Sequence, residues 1–113
     1  MSTAPATQAP YDDGWLRWEP AADRFWVDGE EALLPALEHR LLCHLMANPG
    51  RVVTKAELFA RVWGEPQTGD GTLTVHVRRL RTWIEHDPDR PRNLRTVHGR
   101  GYLFEPATTT PWR

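Results

Sequence analysis

The sequence has one cysteine, Cys43, in 113 residues, and it has no long apolar run. A single thiol cannot close a disulfide within the chain, which excludes the disulfide-stapled secreted class. The apolar runs are only a few residues long, whereas a membrane-spanning helix needs about 20. Residues 1–10 lack the basic start and the apolar stretch of a secretory signal. We therefore expect a cytoplasmic protein without a membrane segment.

The chain is too short for two domains of ordinary size, because compact domains cluster near roughly 100–150 residues. Its two ends are dominated by Ala, Pro and Thr, which favour unstructured chain. We predict a disordered N-terminal tail over residues 1–12, one domain over residues 13–106, and a flexible C-terminal tail over residues 107–113.

Acidic residues are unevenly distributed, and the second half of the chain has an excess of positive charge. Residues 1–50 carry three basic and eight acidic residues, whereas residues 51–113 carry eleven basic and seven acidic ones. Thirteen of the fourteen basic residues are Arg, whose guanidinium suits phosphates and guanine edges. The pattern indicates either a polyanionic partner or a GC-rich genome whose codons favour Arg.

The first part of the domain has strand signals. Short runs that contain aromatic residues predict strands at Trp15–Trp18 and Arg24–Val27. Asp28-Gly29 is a hairpin signal and leads to a third strand near Ala32–Leu34. We therefore expect an N-terminal antiparallel sheet of about three short strands.

Three helical segments follow. Leucines recur at helical spacing from Ala36 onwards. The second helix begins at a capping box, in which the Thr54 hydroxyl and the Glu57 carboxylate bond free amides at the helix start, and Gly64 is its expected C-cap. The third helix is predicted over about Thr72–Glu85. With a last hairpin described below, the element order predicts an α+β fold.

The third helix has an unusual outer face. At about 100° per residue, four apolar residues form one narrow stripe, namely Leu73, Val77, Leu80 and Ile84. Opposite them lie Val75 and Thr82, flanked by Arg78 and Arg79, with Thr74, His76 and Arg81 toward the margins. No acid lies between Asp70 and Glu85 to offset the arginines. In a DNA major groove, arginine bonds guanine and a valine methyl packs on thymine, so this face favours nucleic-acid binding over a merely solvated basic surface.

The terminal hairpin offers a second basic group. Strands are predicted at Leu94–His98 and Tyr102–Glu105, around the turn Gly99-Arg100-Gly101. Arg100 at the tip of this turn suits a narrow, negatively charged minor groove. An ordinary solvent-facing turn is the alternative interpretation.

Five segments in this order are similar to one family: residues 34–42 (LPALEHRLL), 48–54 (NPGRVVT), 62–64 (VWG), 74–81 (TVHVRRLR) and 96–102 (TVHGRGY). Over about Trp15–Pro106 the chain resembles the C-terminal effector domain of OmpR/PhoB-type response regulators. The resemblance implies a winged helix-turn-helix that binds promoter DNA in a sequence-specific way. It places the third helix in the major groove and the hairpin wing at the neighbouring minor groove.

The resemblance also implies partners and site residues. The Glu65–Asp70 loop faces RNA polymerase in such domains, and two copies lie head to tail on DNA. A receiver domain normally precedes the effector domain, and an excised effector domain and a receiverless regulator both remain open. The implied DNA-contacting residues are Trp63, Thr74, Val75, His76, Arg78, Arg79, Arg81, Thr96, His98 and Tyr102, to which the hairpin argument adds Arg100.

Other classes of function have less support in the sequence. His39 and Cys43 are spaced i, i+4 on the first helix, but a structural zinc site needs four ligands and the sequence offers no partner pair. No phosphate-binding glycine loop is present either, so we predict no catalytic site, metal or cofactor. The competing class is a winged helix that docks RNA polymerase or a receiver domain without reading DNA. The acidic N-terminal half favours some protein contact, whereas the basic helix argues for DNA.

Overall fold

A computed structural model describes residues 9–64 and 70–107. These residues form two compact units, an N-terminal one that ends at Leu33 and a second one that spans Leu34–Ala107. In the order of the chain the elements are β1 (Tyr11–Asp12), β2 (Leu16–Glu19), β3 (Arg24–Val27), β4 (Glu30–Ala32), α1 (Ala36–Met46), β5 (Val53–Thr54), α2 (Lys55–Leu58) with a π-helical continuation (Phe59–Trp63), α3 (Asp70–Ile84), β6 (Leu94–Val97) and β7 (Gly101–Phe104). Within the described ranges, no helix has the length and apolar character needed to span a bilayer.

The N-terminal unit is an antiparallel sheet with the strand order β1-β2-β3-β4. Alternate side chains are buried, as a half-exposed sheet requires. Trp18 and Phe25 are direct cross-strand neighbours, and their rings stack with centroids 5.9 Å apart. Asp28 and Gly29 both have positive φ, at 52° and 82°, which is the geometry of the predicted two-residue hairpin turn.

The sheet differs from the prediction at both ends. It has four strands, and the first lies at Tyr11–Asp12, inside the predicted tail of residues 1–12. These two residues pair with Trp18 and Arg17 of β2, so backbone pairing orders a segment whose own composition carries no strand signal. The last strand is Glu30–Ala32 rather than the predicted Ala32–Leu34, because the two-residue turn at Asp28-Gly29 pairs Val27 with Glu30 and so starts the strand two residues earlier.

The second unit has its core between the three helices and the C-terminal strands. The predicted stripe of α3 is confirmed, because Leu73, Val77, Leu80 and Ile84 are each at most 1% exposed. α1 contacts α3, the π-helical segment and β7. Three of its leucines are fully buried: Leu41, Leu42 and Leu45. α3 is therefore held by its apolar stripe, and its opposite face remains free for a partner.

The start of α2 confirms one half of the predicted capping box. The Thr54 hydroxyl accepts a hydrogen bond from the Glu57 amide at 3.1 Å. The Glu57 carboxylate does not complete the box as predicted. It accepts hydrogen bonds from Nη1 and Nη2 of Arg51 and lies 2.7 Å from His44 Nε2. The hydrogen bonds from Arg51, and then from His44, lower the pKa of Glu57 to about 2. Gly64 ends the π-helical segment with φ at 78°, as expected for a C-cap.

The C-terminal hairpin belongs to a three-stranded sheet with the order β5-β7-β6, in which β5 was not predicted. Gly99 has φ at 76°, and the Arg100 amide bonds the Val97 carbonyl at 2.9 Å, which closes the turn over His98 and Gly99. Gly101 is the first residue of β7 rather than part of the turn that was predicted for it. A Cβ there would collide with the backbone carbonyl of Val53, so only glycine lets β5 and β7 approach.

Candidate nucleic-acid interface

The outer face of α3 is exposed and basic. Thr74, Val75, Arg78, Arg79 and Thr82 are all exposed, and we call these five residues the α3 basic face. Val75 keeps 46% of its surface accessible, which is unusual for a valine in a folded domain. An apolar side chain between two arginines therefore stands on the solvent side, as the helical periodicity predicted.

Arg81 lies at the margin of α3 and points toward the hairpin. Its Nε donates to the Leu94 carbonyl at 3.0 Å, and its Nη2 donates to the Thr96 hydroxyl at 2.8 Å. Burial lowers the pKa of this guanidinium. Arg81 thus joins α3 to β6, and its contact with these two groups accounts for its partial burial.

A groove separates α3 from the strands and connector that follow it. Its volume is about 510 Å³. Its lining residues are Thr74, Arg78, Arg81, Thr82, Pro88, Asp89, Pro91, Thr96 and Tyr102. Five residues predicted from the sequence therefore meet in one place, and we call this space the α3–wing groove. Tyr102 is only 6% exposed, so it contributes to the groove wall rather than projecting from it.

Trp63 and His76 form a separate cluster with a buried carboxylate. His76 Nδ1 lies 2.7 Å from Glu38 Oε2, and Glu38 is 1% exposed. The Trp63 ring meets the His76 ring edge-on with centroids 5.6 Å apart, and Phe59 meets Trp63 in the same manner at 5.4 Å. Both residues therefore contact buried groups, Trp63 through Phe59 and His76 through Glu38.

The tip of the hairpin carries exposed polar residues. His98 and Arg100 are both exposed, as predicted for the wing. Arg95 on β6 is exposed as well and was not predicted as a site residue. Leu94 is buried while Arg95 and Thr96 are both exposed, so strand alternation did not single out Arg95.

Two buried acids are further groups that the sequence analysis missed. Glu38 holds His76, as described above. Glu85 is 6% exposed, and its carboxylate accepts hydrogen bonds from the backbone amides of Arg92, Asn93 and Leu94 at 2.8, 3.0 and 2.7 Å. It therefore fixes the entry of β6 relative to the end of α3. Glu38 follows the same i, i+3 spacing as the buried leucines of α1, so its burial could have been predicted.

The predicted polymerase-facing loop cannot be placed. Residues 65–69 lie outside the described parts of the chain. Asp70, the last residue assigned to that loop, is the first residue of α3 instead. The helix thus begins two residues before the predicted Thr72.

The second unit has three helical segments: α1, α2 with its π-helical continuation, and α3. A hairpin follows them and is bound to α3 through Arg81. This arrangement is a winged helix-turn-helix. Residues 29–104 match the family model described as "Transcriptional regulatory protein, C terminal". The chain belongs to this family, the OmpR/PhoB-type DNA-binding effector domains of transcription regulators. The predicted fold class and family resemblance are confirmed.

Individual relatives agree with this assignment. The sensory transduction protein RegX3 of Mycolicibacterium smegmatis is 52% identical over 80 residues, which are 70% of this chain and 35% of RegX3. The response regulator DrrB of Thermotoga maritima, an OmpR/PhoB homologue, superimposes with a TM-score of 0.77 at 33% identity over 85% of this chain and 44% of DrrB. The DNA-binding domain of CpxR from E. coli gives 0.74 at 27% identity, over 89% of this chain and all of that domain. The chain spans about a third of the length of RegX3.

Proposed function

We propose that this domain reads duplex promoter DNA by inserting the α3 basic face into the major groove and placing the tip of the hairpin at the adjacent minor groove. The observation that carries the proposal is the α3 basic face itself. Its arginines stand beside an exposed valine, with no acid on the helix between Asp70 and Glu85. This combination provides hydrogen-bond donors for guanine and a methyl surface for thymine.

The surroundings support distinct roles for the residues. We assign Val75 and Arg79 to base contacts because they lie directly opposite the buried stripe. Thr74, Arg78 and Thr96 border the α3–wing groove, which suits a phosphate backbone. His98 and Arg100 are assigned to the minor groove. Trp63, His76, Arg81 and Tyr102 complete the set, as positioning residues or backbone contacts.

The test is selection of bound sequences from a random duplex pool by the full chain, followed by titration of the selected duplex. We expect one preferred sequence motif. Val75→Ala should weaken binding less on a duplex in which the contacted thymine is replaced by uracil than on the thymine duplex, because uracil lacks the methyl group that valine contacts. Enrichment of no motif, with equal affinity for all duplexes, would contradict the proposal and favour a protein-docking module.

Three wider assignments belong to the same proposal. Two copies bind head to tail on repeated half-sites about one helical turn apart. RNA polymerase contacts the Glu65–Asp70 loop. Because bacterial promoters lie in the cytoplasm, the protein acts there, and binding alone, without catalysis, accounts for its function.

A further inference from the structure

The contact between His76 and Glu38 joins an imidazole ring on α3 to a buried carboxylate on α1. Glu38 on α1 is almost completely buried, and a buried carboxylate is costly unless a donor or a positive charge compensates it. Its Oε2 lies 2.7 Å from Nδ1 of His76, a residue of the DNA-facing helix. The contact is consistent with a proton on Nδ1, since a carboxylate that is ionised can only accept a hydrogen bond.

The other ring nitrogen, Nε2, is then the atom that can meet DNA. Across the described ranges Nε2 has no hydrogen-bond partner, and the His76 side chain keeps 16% of its surface exposed. In a neutral ring with a proton on Nδ1, Nε2 carries a lone pair and repels a phosphate oxygen. In the imidazolium ion, Nε2 carries a proton and donates to that oxygen.

Within the described ranges, the charged side chains on the neighbouring elements are not bonded to the His76 ring. On α1, Arg40 donates to the Val62 carbonyl. On the π-helical segment Arg61 is exposed, and one turn further along α3 Arg79 is exposed. Trp63 covers the ring edge-on and contributes no charge. Of the charged groups that the structure describes, Glu38 is the one bonded to the imidazole.

We propose that Glu38 and His76 are a proton-linked positioning pair, in which Glu38 holds the ring by Nδ1 and His76 donates from Nε2 to a DNA phosphate only when doubly protonated. This inference rests on the proposed DNA binding. The bound phosphate favours the imidazolium, so binding takes up a fraction of a proton per domain near neutral pH. Affinity therefore falls as the pH rises from 6 to 8, by roughly tenfold if one charge-assisted hydrogen bond is lost.

The experiment is calorimetric titration of the selected duplex at constant ionic strength, in buffers that differ in ionisation enthalpy. The dependence of the measured heat on the buffer gives the number of protons taken up. Wild-type protein should take up protons, and His76→Gln should take up none while still binding. Glu38→Gln should bind more weakly than wild type at pH 7 and recover toward wild type near pH 5.5. At the lower pH the imidazole becomes doubly protonated without the help of the carboxylate.

The chain supplies matched controls. His44 and Glu57 form a second histidine–glutamate pair with the same 2.7 Å separation, on α1 and α2 rather than on α3. His44→Gln should leave proton uptake unchanged. His98→Gln tests the exposed histidine of the wing, and proton uptake that disappears in this variant but persists in His76→Gln overturns the inference.

The outcomes separate this inference from the proposed function. Sequence-selective binding without proton uptake overturns the pair's role and leaves DNA reading intact. Absence of selective binding at every pH contradicts the proposed function itself. If either variant unfolds, nitrogen-15 imidazole spectra of wild-type protein decide the matter. They should show a protonated Nδ1 in the free domain and a doubly protonated His76 in the complex, and a free-state proton on Nε2 alone would contradict the inference.

Discussion

Arg79 and Arg81 lie two positions apart on α3 but have opposite surroundings. Arg79 is exposed on the α3 basic face, whereas Arg81 is bonded to a carbonyl and a hydroxyl of β6. The guanidinium of Arg79 is thus available for bidentate contact with a base, whereas that of Arg81 is already hydrogen-bonded to β6. Identical side chains on one helix therefore have different expected effects when they are removed.

Arg79→Ala should cost about 1–3 kcal/mol of binding free energy on the selected duplex and almost nothing on random duplex, because a bidentate guanine contact distinguishes bases. The melting temperature should hardly change, since exposed substitutions usually alter stability by less than about 0.5 kcal/mol. Titrations against the two duplexes, with thermal melts, measure both quantities. Arg90→Ala removes the same charge from the exposed connector and should leave base preference intact. A uniform loss on both duplexes for Arg79→Ala would make it a phosphate contact.

Glu57 predicts how stability responds to acid. Because its pKa is lowered to about 2 by Arg51 and His44, the folded state holds the Glu57 proton more weakly than the unfolded chain does. Its contribution to stability should be complete above about pH 4.5, the ordinary value, and should be lost as the pH falls from there toward 2. Urea unfolding of wild type and Glu57→Gln across this range should converge at low pH. Arg51→Ala should raise the Glu57 titration midpoint, measured by carboxyl NMR; an unchanged midpoint would contradict the assigned cause.

At the level of elements, the bond between α3 and the wing is a testable unit. Arg81→Ala and Thr96→Val each remove one side of the Nη2–hydroxyl contact, so their effects on the unfolding free energy should be coupled by about 1 kcal/mol in a double-mutant cycle. Arg81→Ala should also weaken selected and random duplexes alike, because it loosens the wing rather than removing a base contact. Arg95→Ala is the control, since this neighbouring arginine is exposed. Additive effects would mean that the contact does not stabilise the wing.

The turn of the hairpin carries a prediction of its own. Arg100→Ala should weaken binding chiefly where the flanking sequence is A·T-rich, because the narrow minor groove there concentrates negative potential. Folding should be retained, since Gly99 supplies the positive φ that the turn needs. Arg100→Lys keeps the charge and should lose part of the A·T preference. Titration on duplexes with A·T-rich and G·C-rich flanks gives the comparison, and equal losses on both would reduce Arg100 to a phosphate contact.

These elements also show where sequence analysis succeeds. Periodicity predicted α1, α3, the buried stripe of α3 and the exposed position of Val75, and the Thr54 cap predicted the start of α2, because each depends on local sequence. It missed β1 and β5, which are two residues long and form only because β2 and β7 offer backbone partners. The direction of the Glu57 carboxylate was wrong for a similar reason, as Arg51 and His44 reach it from other segments. The contacts of Arg81 depend on where β6 lies, which helical periodicity cannot specify.

For the whole molecule, charge is divided in the same way as the fold. Residues 34–107 carry eleven basic and eight acidic residues, whereas residues 9–33 carry two basic and seven acidic ones. Two of the eight acids, Glu38 and Glu85, are buried and bonded, so the positive excess at the surface of the second unit is larger than the count implies. The near-neutral net charge of −1 hides a DNA-facing unit that is positive.

This division predicts a steep dependence of DNA affinity on salt. Neutralising about four to six phosphates per domain gives a slope near −4 to −5 when the logarithm of the binding constant is plotted against that of the salt concentration. Arg78→Ala should reduce the slope by about 1 if Arg78 contacts a phosphate, whereas Arg79→Ala should leave it nearly unchanged if Arg79 contacts only a base. Titrations of the selected duplex from low to physiological salt measure these slopes, and random duplex should give a similar slope at lower affinity. A slope near zero would contradict an electrostatic interface and would assign the basic surface to another partner.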